Sequence, residues 1–369
     1  MTEKEILQKK LEELEKEYSK TKHNKATNTH LGILRAKIAN TKKKMVEGKK
    51  GKKGKGFSVK KTGDATVALV GFPNAGKSSL QKLLTNVDSK VADYAFTTLD
   101  AIPGILRYNG ATIQIFDLPG LIEGAHIGKG GGAMIASAIR VSDLLLFVID
   151  SKNPQNLYTL LKELKDLGIH AGKKRPAISM EKLNSGGIRI ENQGHKIPDK
   201  ERIVKIINEF GIFNCAIHFR DDAEEDDVID FLAGTDLYID AIVAINKIDV
   251  NEDFLKVKAD IETRTKLKVT PISALRNLNI AELRKEIFSA LRLCRVYLKP
   301  KDANPDYENP IIMRNGCTVV DVAKKLHSDI AKSLKYAYVS GKSVKFKGQK
   351  VGKDHVLLDE DILTMIYQN

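Results

Sequence analysis

The sequence predicts an α/β fold with a mostly parallel, doubly wound sheet. Short apolar runs alternate with stretches of helical spacing, as in sheets whose faces are covered by helices. Glycine and polar residues follow these runs, at the strand ends where such sheets bind ligands. The five predicted strands span 66–71, 113–117, 144–150, 241–246 and 269–273.

A glycine-rich loop follows the first predicted strand and reads Gly71-Phe72-Pro73-Asn74-Ala75-Gly76-Lys77-Ser78, with Ser79 opening a helical stretch. Strand, glycine loop and helix together are the context of a phosphate-binding loop, although a plain turn is the alternative. Its glycines let backbone N–H groups point inward at the positive end of a helix. We predict that the Lys77 ammonium reaches the β- and γ-phosphates and that the Ser78 hydroxyl binds Mg²⁺.

Two further segments are predicted to complete the phosphate end of the site. After the second strand comes Asp117-Leu118-Pro119-Gly120, in which Asp117 is placed to hold Mg²⁺ through water and the Gly120 N–H to contact the γ-phosphate. Between this segment and the loop lies Phe96-Thr97-Thr98. Thr98, or else Thr97, is expected to complete the Mg²⁺ shell and sense the γ-phosphate, unless both are ordinary strand threonines.

The segments after the last two strands are predicted to select the base. Asn246-Lys247-Ile248-Asp249 follows the fourth strand, and the Asp249 carboxylate can accept hydrogen bonds from guanine N1–H and the 2-amino group. Adenine offers neither donor there, and a site built around such a pair rejects analogues strongly. Ser273-Ala274-Leu275 follows the fifth strand, where a backbone N–H can meet guanine O6.

The basic character of the chain is concentrated in its first 63 residues. They hold 19 Lys and Arg against 7 Asp and Glu, a net +12, and the other residues hold 42 against 40. Such an arm indicates a polyanionic partner or a solvated tail. Three scattered cysteines fit no metal spacing and suit a reducing compartment. The charged start and the absence of a long apolar run predict a soluble, cytoplasmic protein without a membrane segment.

The length of 369 residues allows two or three domains, and the composition suggests their boundaries. Residues 1–60 read as a basic helical hairpin, over 3–20 and 29–47, followed by a Lys/Gly linker. Residues 61–294 read as the nucleotide domain, with a small α/β subdomain inserted at about 170–235, and 295–369 as a separate α/β module. Its lysines are predicted to face phosphates or to protect an edge strand: Lys342, Lys345, Lys347, Lys350 and Lys353.

The ordered set GFPNAGKS, FTTLD, DLPG, NKID and SAL resembles the motif series of translation-factor-class GTPases. The chain further resembles the developmentally regulated GTP-binding proteins, a branch of the Obg-like GTPases, over essentially its whole length. The resemblance rests on the segment KHNKAT at 22–27, the glycines of 117–132, the insertion and the C-terminal segment, which looks like a β-grasp TGS domain. It implies a GTPase that acts near ribosomes or RNA and with a stabilising partner protein.

The expected mechanism lacks one familiar part. Ras-type enzymes place a Gln just after the D-x-x-G motif to orient water, but Leu121 stands there. The resemblance implies that Asn74 helps to hold K⁺ beside the phosphates, so that a slow GTPase is stimulated by potassium; a loop-capping Asn is the alternative. Lys77, Thr98, Gly120 and Asn74 are then the catalytic set. The competing hypothesis is an RNA- or ribosome-binding scaffold in which nucleotide mainly stabilises the fold.

Overall fold

The computed structural model describes residues 3–22, 24, 27–47, 63–85, 104–118, 131–234, 236–301 and 303–367. The chain divides into two compact units. The first unit contains the N-terminal helices and residues 168–238, and the second contains residues 57–167 and 239–369. The predicted Lys/Gly linker and the predicted Phe96-Thr97-Thr98 segment lie outside the described residues.

The described helices and strands alternate along most of the chain. The helices are α1 (Glu3–Lys20), α2 (Asn28–Glu47), α3 (Lys77–Leu84), α4 (Gly131–Val141), α5 (Gln155–Asp166), α6 (Lys200–Glu209), α7 (Glu225–Ala233), α8 (Phe254–Thr265), α9 (Ile280–Ala290), α10 (Val319–Leu326) and α11 (Ser328–Ser333). The strands are β1 (Ala65–Val70), β2 (Gly104–Tyr108), β3 (Ala111–Asp117), β4 (Leu144–Asp150), β5 (Ile169–Ala171), β6 (Ile178–Lys182), β7 (Ile188–Asn192), β8 (Cys215–Phe219), β9 (Leu237–Ile239), β10 (Ala241–Asn246), β11 (Lys268–Pro271), β12 (Leu293–Leu298), β13 (Ile311–Arg314), β14 (Leu334–Ser340), β15 (Gln349–Val351) and β16 (Asp361–Tyr367).

The second unit contains a six-stranded sheet in the order β11-β10-β4-β1-β3-β2. Its neighbours pair in parallel, except that β2 is antiparallel to β3. β1 and β4 lie at the centre and are buried along their whole length, apart from the last residue of β4. This sheet is the doubly wound arrangement that the alternating pattern predicts, with one antiparallel strand at its edge.

Helices cover both faces of this sheet. Leu80 of α3 and Leu283 of α9 are fully buried in the same core cluster as Leu69 of β1 and Leu146 of β4. The intervening residues on β1 and β4 point to the opposite face, and they are also fully buried. Because both faces are shielded from water, the carboxyl edge is where the polar side chains of this sheet gather.

The first unit joins the predicted hairpin to the predicted insertion. A three-stranded sheet in the order β6-β8-β7 packs with α6 and α7 around a core that includes Ala36 of α2. Arg35 of α2 pairs with Glu225 and Asp226 at the start of α7. The spacing of apolar residues predicted the hairpin helices, but the surface on which α2 packs was not predicted.

The C-terminal segment is a five-stranded sheet in the order β13-β12-β16-β14-β15, with α10 packed on one face. Val319, Val322 and Ala323 of α10 are buried against strand residues such as Val339. The predicted helix matches α10 in its bounds. The predicted strands near 311 and 337 correspond to β13 and β14.

None of the described helices combines the length with the apolar character that crossing a bilayer would require.

Candidate functional site: a cavity at the carboxyl edge of the six-stranded sheet

The loop between β1 and α3 is shaped by two glycines that sit against neighbouring strands. A side-chain carbon on Gly71 would collide with the carbonyl oxygen of Val148, and one on Gly76 would collide with the Asn246 amide. Gly76 also has a φ of 96°, a left-handed conformation that glycine adopts without strain. The glycines therefore allow the loop to lie directly on β4 and β10 before α3 begins at Lys77.

The Lys77 side chain folds back over the loop. Its Nζ donates hydrogen bonds to the carbonyl oxygens of Gly71, at 2.9 Å, and Phe72, at 3.3 Å. It also lies 4.0 Å from Oδ1 of Asp117, the last residue of β3. The register that pairs Leu69 with Asp117 brings this carboxylate beside the loop. The positively charged Lys77 ammonium is thus held where a phosphate group would contact the N-terminus of α3.

Asp117 and Ser78 form an oxygen pair suited to a hard cation. The Ser78 hydroxyl donates to Oδ2 of Asp117 at 3.4 Å. The other carboxylate oxygen, Oδ1, is buried and has no hydrogen-bond partner among the described residues. Burial raises the pKa of Asp117, and the Lys77 charge and the Ser78 hydrogen bond oppose that shift. A carboxylate oxygen short of a partner, next to a hydroxyl, matches the ligands that Mg²⁺ prefers.

Asn246 connects the loop to the base-binding segments. It is 2% exposed at the end of β10, and its Nδ2 donates to the Ala75 carbonyl oxygen at 2.8 Å. Its Oδ1 accepts from the backbone N–H groups of Lys247, at 2.8 Å, and Ala274, at 2.9 Å. One buried amide therefore holds three chain segments in register, and each of its polar atoms is satisfied.

The carboxylate of Asp249 is exposed in the cavity and is oriented by Ser273. A hydrogen bond from the buried Ser273 hydroxyl lowers the pKa of Asp249, and the charge of Arg276 acts in the same direction. The same hydroxyl accepts from the Arg276 backbone N–H at 3.1 Å. An ionised acceptor in a fixed orientation is what recognition of two adjacent N–H donors requires.

These segments surround a cavity of about 600 Å³. It is large enough for a ligand of nucleotide size. Lys77 and Asp249 both line it, and Leu275, which is 84% exposed, adds an apolar side chain to its wall. The lining residues are Asn74, Gly76, Lys77, Ser78, Ser79, Asn246, Lys247, Asp249, Val250, Ala274 and Leu275.

Pro73 is exposed in the loop and does not line the cavity. The remaining predicted residues fall into two groups. Leu118, Ile248 and Ser273 support the site through backbone or hydroxyl hydrogen bonds and do not line the cavity. The other group, Phe96, Thr97, Thr98, Pro119, Gly120 and Leu121, lies outside the described residues, so their predicted roles stay predictions. Asn74 has a φ of 61° and lines the cavity, and its predicted role in holding K⁺ stays a prediction.

Three residues of this edge were not predicted from the sequence. Val250 lines the cavity beside Asp249. Asp150, at the end of β4, accepts from Lys247 Nζ at 2.8 Å, and the Ser151 hydroxyl donates to the Lys247 carbonyl oxygen at 3.0 Å. These contacts stabilise Lys247, whose φ of 65° is left-handed. The sequence signal that could have identified Asp150 was its position, because it is the last residue of a predicted strand.

Three family models match consecutive parts of the chain. The family described as 50S ribosome-binding GTPase matches residues 66–182, the C-terminal region of that domain matches 185–293, and the TGS domain matches 294–367. A solved GTP binding protein from Pyrococcus horikoshii OT3 aligns with 82% of this chain and 100% of its own, at 17% identity and a TM-score of 0.45.

Curated relatives match over nearly the full length. An uncharacterized GTP-binding protein of Methanocaldococcus jannaschii is 42% identical over 98% of this chain and 93% of its own length. Developmentally-regulated GTP-binding protein 1 of Xenopus laevis is 40% identical over 97% of this chain and 98% of its own. Developmentally-regulated GTP-binding protein 2 of Homo sapiens is 37% identical over 97% of this chain and 98% of its own.

Proposed function

The chain belongs to the family of developmentally regulated GTP-binding proteins, and on that basis we propose that it hydrolyses GTP to GDP and phosphate in the cavity described above. The observation that carries this proposal is that Lys77 and Asp249 line the same cavity. The ammonium supplies charge for phosphates, and the carboxylate supplies the acceptor for guanine. ATP would leave that acceptor without its two donors, which disfavours ATP strongly.

Mg²⁺ would be held by Ser78 and Asp117, because these are the hydroxyl and carboxylate oxygens that the loop and β3 bring together. We propose Thr98 as a further ligand and Gly120 as a backbone donor to the γ-phosphate. The ion, when bound, neutralises charge on the β- and γ-phosphates. The chain's own contribution is positional, since Lys77 and the loop N–H groups fix the phosphates before any bond breaks.

For activation we propose K⁺ held by Asn74. Its carboxamide oxygen is a suitable ligand, and the left-handed φ of Asn74 puts it in the wall of the cavity next to Gly76 and Lys77. A cation there stabilises charge that develops between the β- and γ-phosphates, as an arginine finger does elsewhere. Leu121 can neither donate nor accept a hydrogen bond, so hydrolysis without such a cation should be slow.

Multiple-turnover phosphate release tests the proposal. Wild-type protein should release more than one phosphate per chain from GTP, and faster in K⁺ than in Na⁺ at equal ionic strength. Both ions screen surface charge alike, so a difference requires a site that discriminates between them. Asn74→Ala should remove the difference while GTP affinity is largely retained.

Two results would contradict parts of this proposal. GTP that is bound and released intact would favour the scaffold function, in which nucleotide only stabilises the fold. Equal rates in the two salts, for wild type and Asn74→Ala alike, would rule out the potassium mechanism and favour activation by a partner. Asn277→Ala is the matched control, because Asn277 is also left-handed and does not line the cavity.

We further propose that the protein works in the cytoplasm on ribosomes or RNA, together with a stabilising partner protein. Exposed lysines on the hairpin, including Lys9, Lys10 and Lys16, support a polyanionic partner. The basic charge of the hairpin is partly used internally, since Arg35 pairs with α7 and Lys43 Nζ donates to the Leu232 carbonyl oxygen. The exposed remainder is what would contact phosphates.

The open face of the five-stranded sheet supports an RNA contact more specifically. Tyr336 and Tyr338 stand on the same face of β14, with ring centroids 5.5 Å apart. Lys350 Nζ lies 4.1 Å from the centroid of Tyr336. Unstacked bases bind on such aromatic groups, and adjacent lysines bind the backbone. Of the C-terminal lysines, Lys342 is paired with Glu360 at 2.9 Å and is less suited to this role.

A further inference from the structure

Three metal-ligating side chains converge in the first unit, outside the nucleotide cavity. His170 lies on β5, Asp230 on α7, and Asp236 shortly before β9. The Nε2 atom of His170 is 2.8 Å from Oδ2 of Asp236 and 3.2 Å from Oδ2 of Asp230. The three ligand atoms all lie within 4.8 Å of one another.

The histidine is enclosed and its orientation is held by packing. Its ring is 6% exposed and stacks on Tyr238 of the neighbouring strand, with centroids 4.7 Å apart and an interplanar angle of 13°. The Tyr238 hydroxyl donates to Oδ2 of Asp230 at 3.4 Å. Nε2 therefore points at the two carboxylates through contacts that do not depend on an ion.

This cluster has two carboxylates but only one imidazole to neutralise them. A neutral imidazole donates one hydrogen bond from a ring nitrogen, yet Nε2 faces two carboxylates. The charged groups that act on Asp230 are Asp236 and Asp226, both negative, and His170. Burial, followed by the Asp236 charge, raises the pKa of Asp230. Such a pair of carboxylates favours either a shared proton or a bound cation.

We propose that His170, Asp230 and Asp236 form a binding site for one divalent transition-metal ion, with Zn²⁺ as the ion to test. Zinc bonds to imidazole nitrogen and carboxylate oxygen are about 2.0–2.2 Å long, so neighbouring ligand atoms of a tetrahedral site should be separated by about 3.3–3.6 Å. The two distances from Nε2, 2.8 and 3.2 Å, are shorter than this before any ion is bound, so the ligand atoms would have to separate by less than about 1 Å to hold the ion. An imidazole ligand favours zinc over Mg²⁺, which prefers oxygen ligands alone.

The position of the cluster indicates a structural role. β5 and β9 form a two-stranded sheet at the beginning and end of segment 168–238, and the Leu237 N–H donates to the Gly168 carbonyl oxygen at 2.9 Å. An ion bound by all three residues would tie both ends of that segment to α7. Gly168 has a φ of 74°, and a side-chain carbon there would come within 3.1 Å of Asp236 Oδ1, so glycine leaves room for this carboxylate.

The test is a zinc titration of the full chain by calorimetry, after the protein has been stripped with a chelator and dialysed. Excess Mg²⁺ is kept present to occupy all-oxygen sites. We expect one Zn²⁺ per chain at micromolar or lower concentrations. His170→Gln and Asp236→Asn should each weaken binding by at least about tenfold, since even residues that only support a metal ligand cost 10–100-fold.

His218→Gln is the matched control. His218 Nδ1 pairs with Glu191 at 2.9 Å on the inserted sheet, but it belongs to no three-ligand group among the described residues. This variant should bind zinc as the wild type does. Circular dichroism establishes whether each variant folds.

If the substitutions at the cluster unfold the protein, Co²⁺ bound to wild type decides the matter. Visible absorption bands that appear with one Co²⁺ per chain and are displaced by Zn²⁺ would support the site, and their absence would overturn it. The site is equally refuted if stripped wild type takes up no zinc at micromolar concentrations. Zinc binding that His170→Gln, Asp236→Asn and His218→Gln retain to the same extent would also refute it. GTP hydrolysis is not needed for any of these readouts.

Discussion

The carboxyl edge of the six-stranded sheet and the open face of the five-stranded sheet both present chemistry to solvent, but they are built differently. At the edge, functional groups such as Asp249 are held by buried polar residues, Asn246 and Ser273, whose hydrogen bonds are satisfied. On the open face, Tyr338 is 38% exposed and Lys350 is exposed. Both of these side chains contact the ring of Tyr336.

This difference predicts how each surface responds to change. A preorganised site concentrates its binding free energy in a few groups, so that removing one charge there has a large effect. An exposed surface distributes its binding free energy over many weak, salt-screened contacts. A single substitution at the edge should therefore cause a large loss of nucleotide affinity, whereas a single substitution on the face should cause only a small loss of RNA affinity.

The largest effect is expected for Lys77→Ala. Charge-assisted hydrogen bonds contribute about 1.5–3 kcal/mol each, so losing contacts to two phosphates should weaken GTP binding by roughly 100-fold or more. The fold should survive, because among the described residues the ammonium donates to the Gly71 and Phe72 carbonyl oxygens of its own loop and lies 4.0 Å from Asp117 at the edge of the cavity. Nucleotide titration followed by fluorescence measures the affinity. Lys82→Ala, on the exposed side of the same helix, should bind normally; wild-type affinity in Lys77→Ala would refute the loop assignment.

The next largest effect is expected for Asp249→Asn. The amide replaces an acceptor by a donor, so guanine should lose its preference while xanthine, which offers an acceptor at that position, should gain. Competition between GTP, XTP and ATP measures the change, which we expect to be roughly 100-fold in the GTP-to-XTP ratio. Asp253→Asn removes a nearby exposed carboxylate that pairs with Lys256 and serves as the control. Unchanged ratios in Asp249→Asn would show that the base lies elsewhere.

The same comparison shows what a sequence can predict. β4 and β10 have the predicted bounds, Leu144–Asp150 and Ala241–Asn246, because each is a buried apolar run that ends at a polar residue. The site motifs at their ends were likewise visible, since short motifs encode local backbone geometry. The fold class and the family resemblance are confirmed by the family matches.

Contacts between distant segments were not predictable in this way. The Asn246 amide meets Ala75, and Lys247 meets Asp150, across long stretches of sequence. α2 has an evident helical period, but nothing in it specifies that Ala36 is buried against the inserted subdomain. Periodicity identifies an apolar face without identifying the surface that it packs on. The hairpin was therefore predicted as a separate arm.

A moderate effect is expected for Tyr338→Ala on the open face. Stacking of a base on an aromatic ring contributes about 1–3 kcal/mol, so affinity for single-stranded RNA should fall roughly 5- to 100-fold. The ring is exposed, so its removal should leave the melting temperature nearly unchanged. Fluorescence anisotropy with a labelled oligonucleotide measures binding. Tyr367→Ala, which also removes an exposed tyrosine of this sheet, is the control; equal losses in both variants would argue against a specific stacking surface.

The smallest effect, and the one that best separates the two surfaces, is expected for Lys350→Ala. A lysine that contacts one phosphate releases about one counterion, so the slope of log affinity against log salt should decrease by about 1, with only a several-fold loss of affinity at moderate salt. Lys350 also covers the Tyr336 ring, and part of the loss should therefore persist at high salt, where the charge is screened.

Lys342→Ala removes a lysine already neutralised by Glu360 and should leave the slope close to that of the wild type. GTP affinity should be unaffected in both variants. Neither residue lines the nucleotide cavity. If Lys350→Ala kept the wild-type slope while Lys9→Ala or Lys16→Ala reduced it, the phosphate contact would belong to the hairpin and not to this sheet.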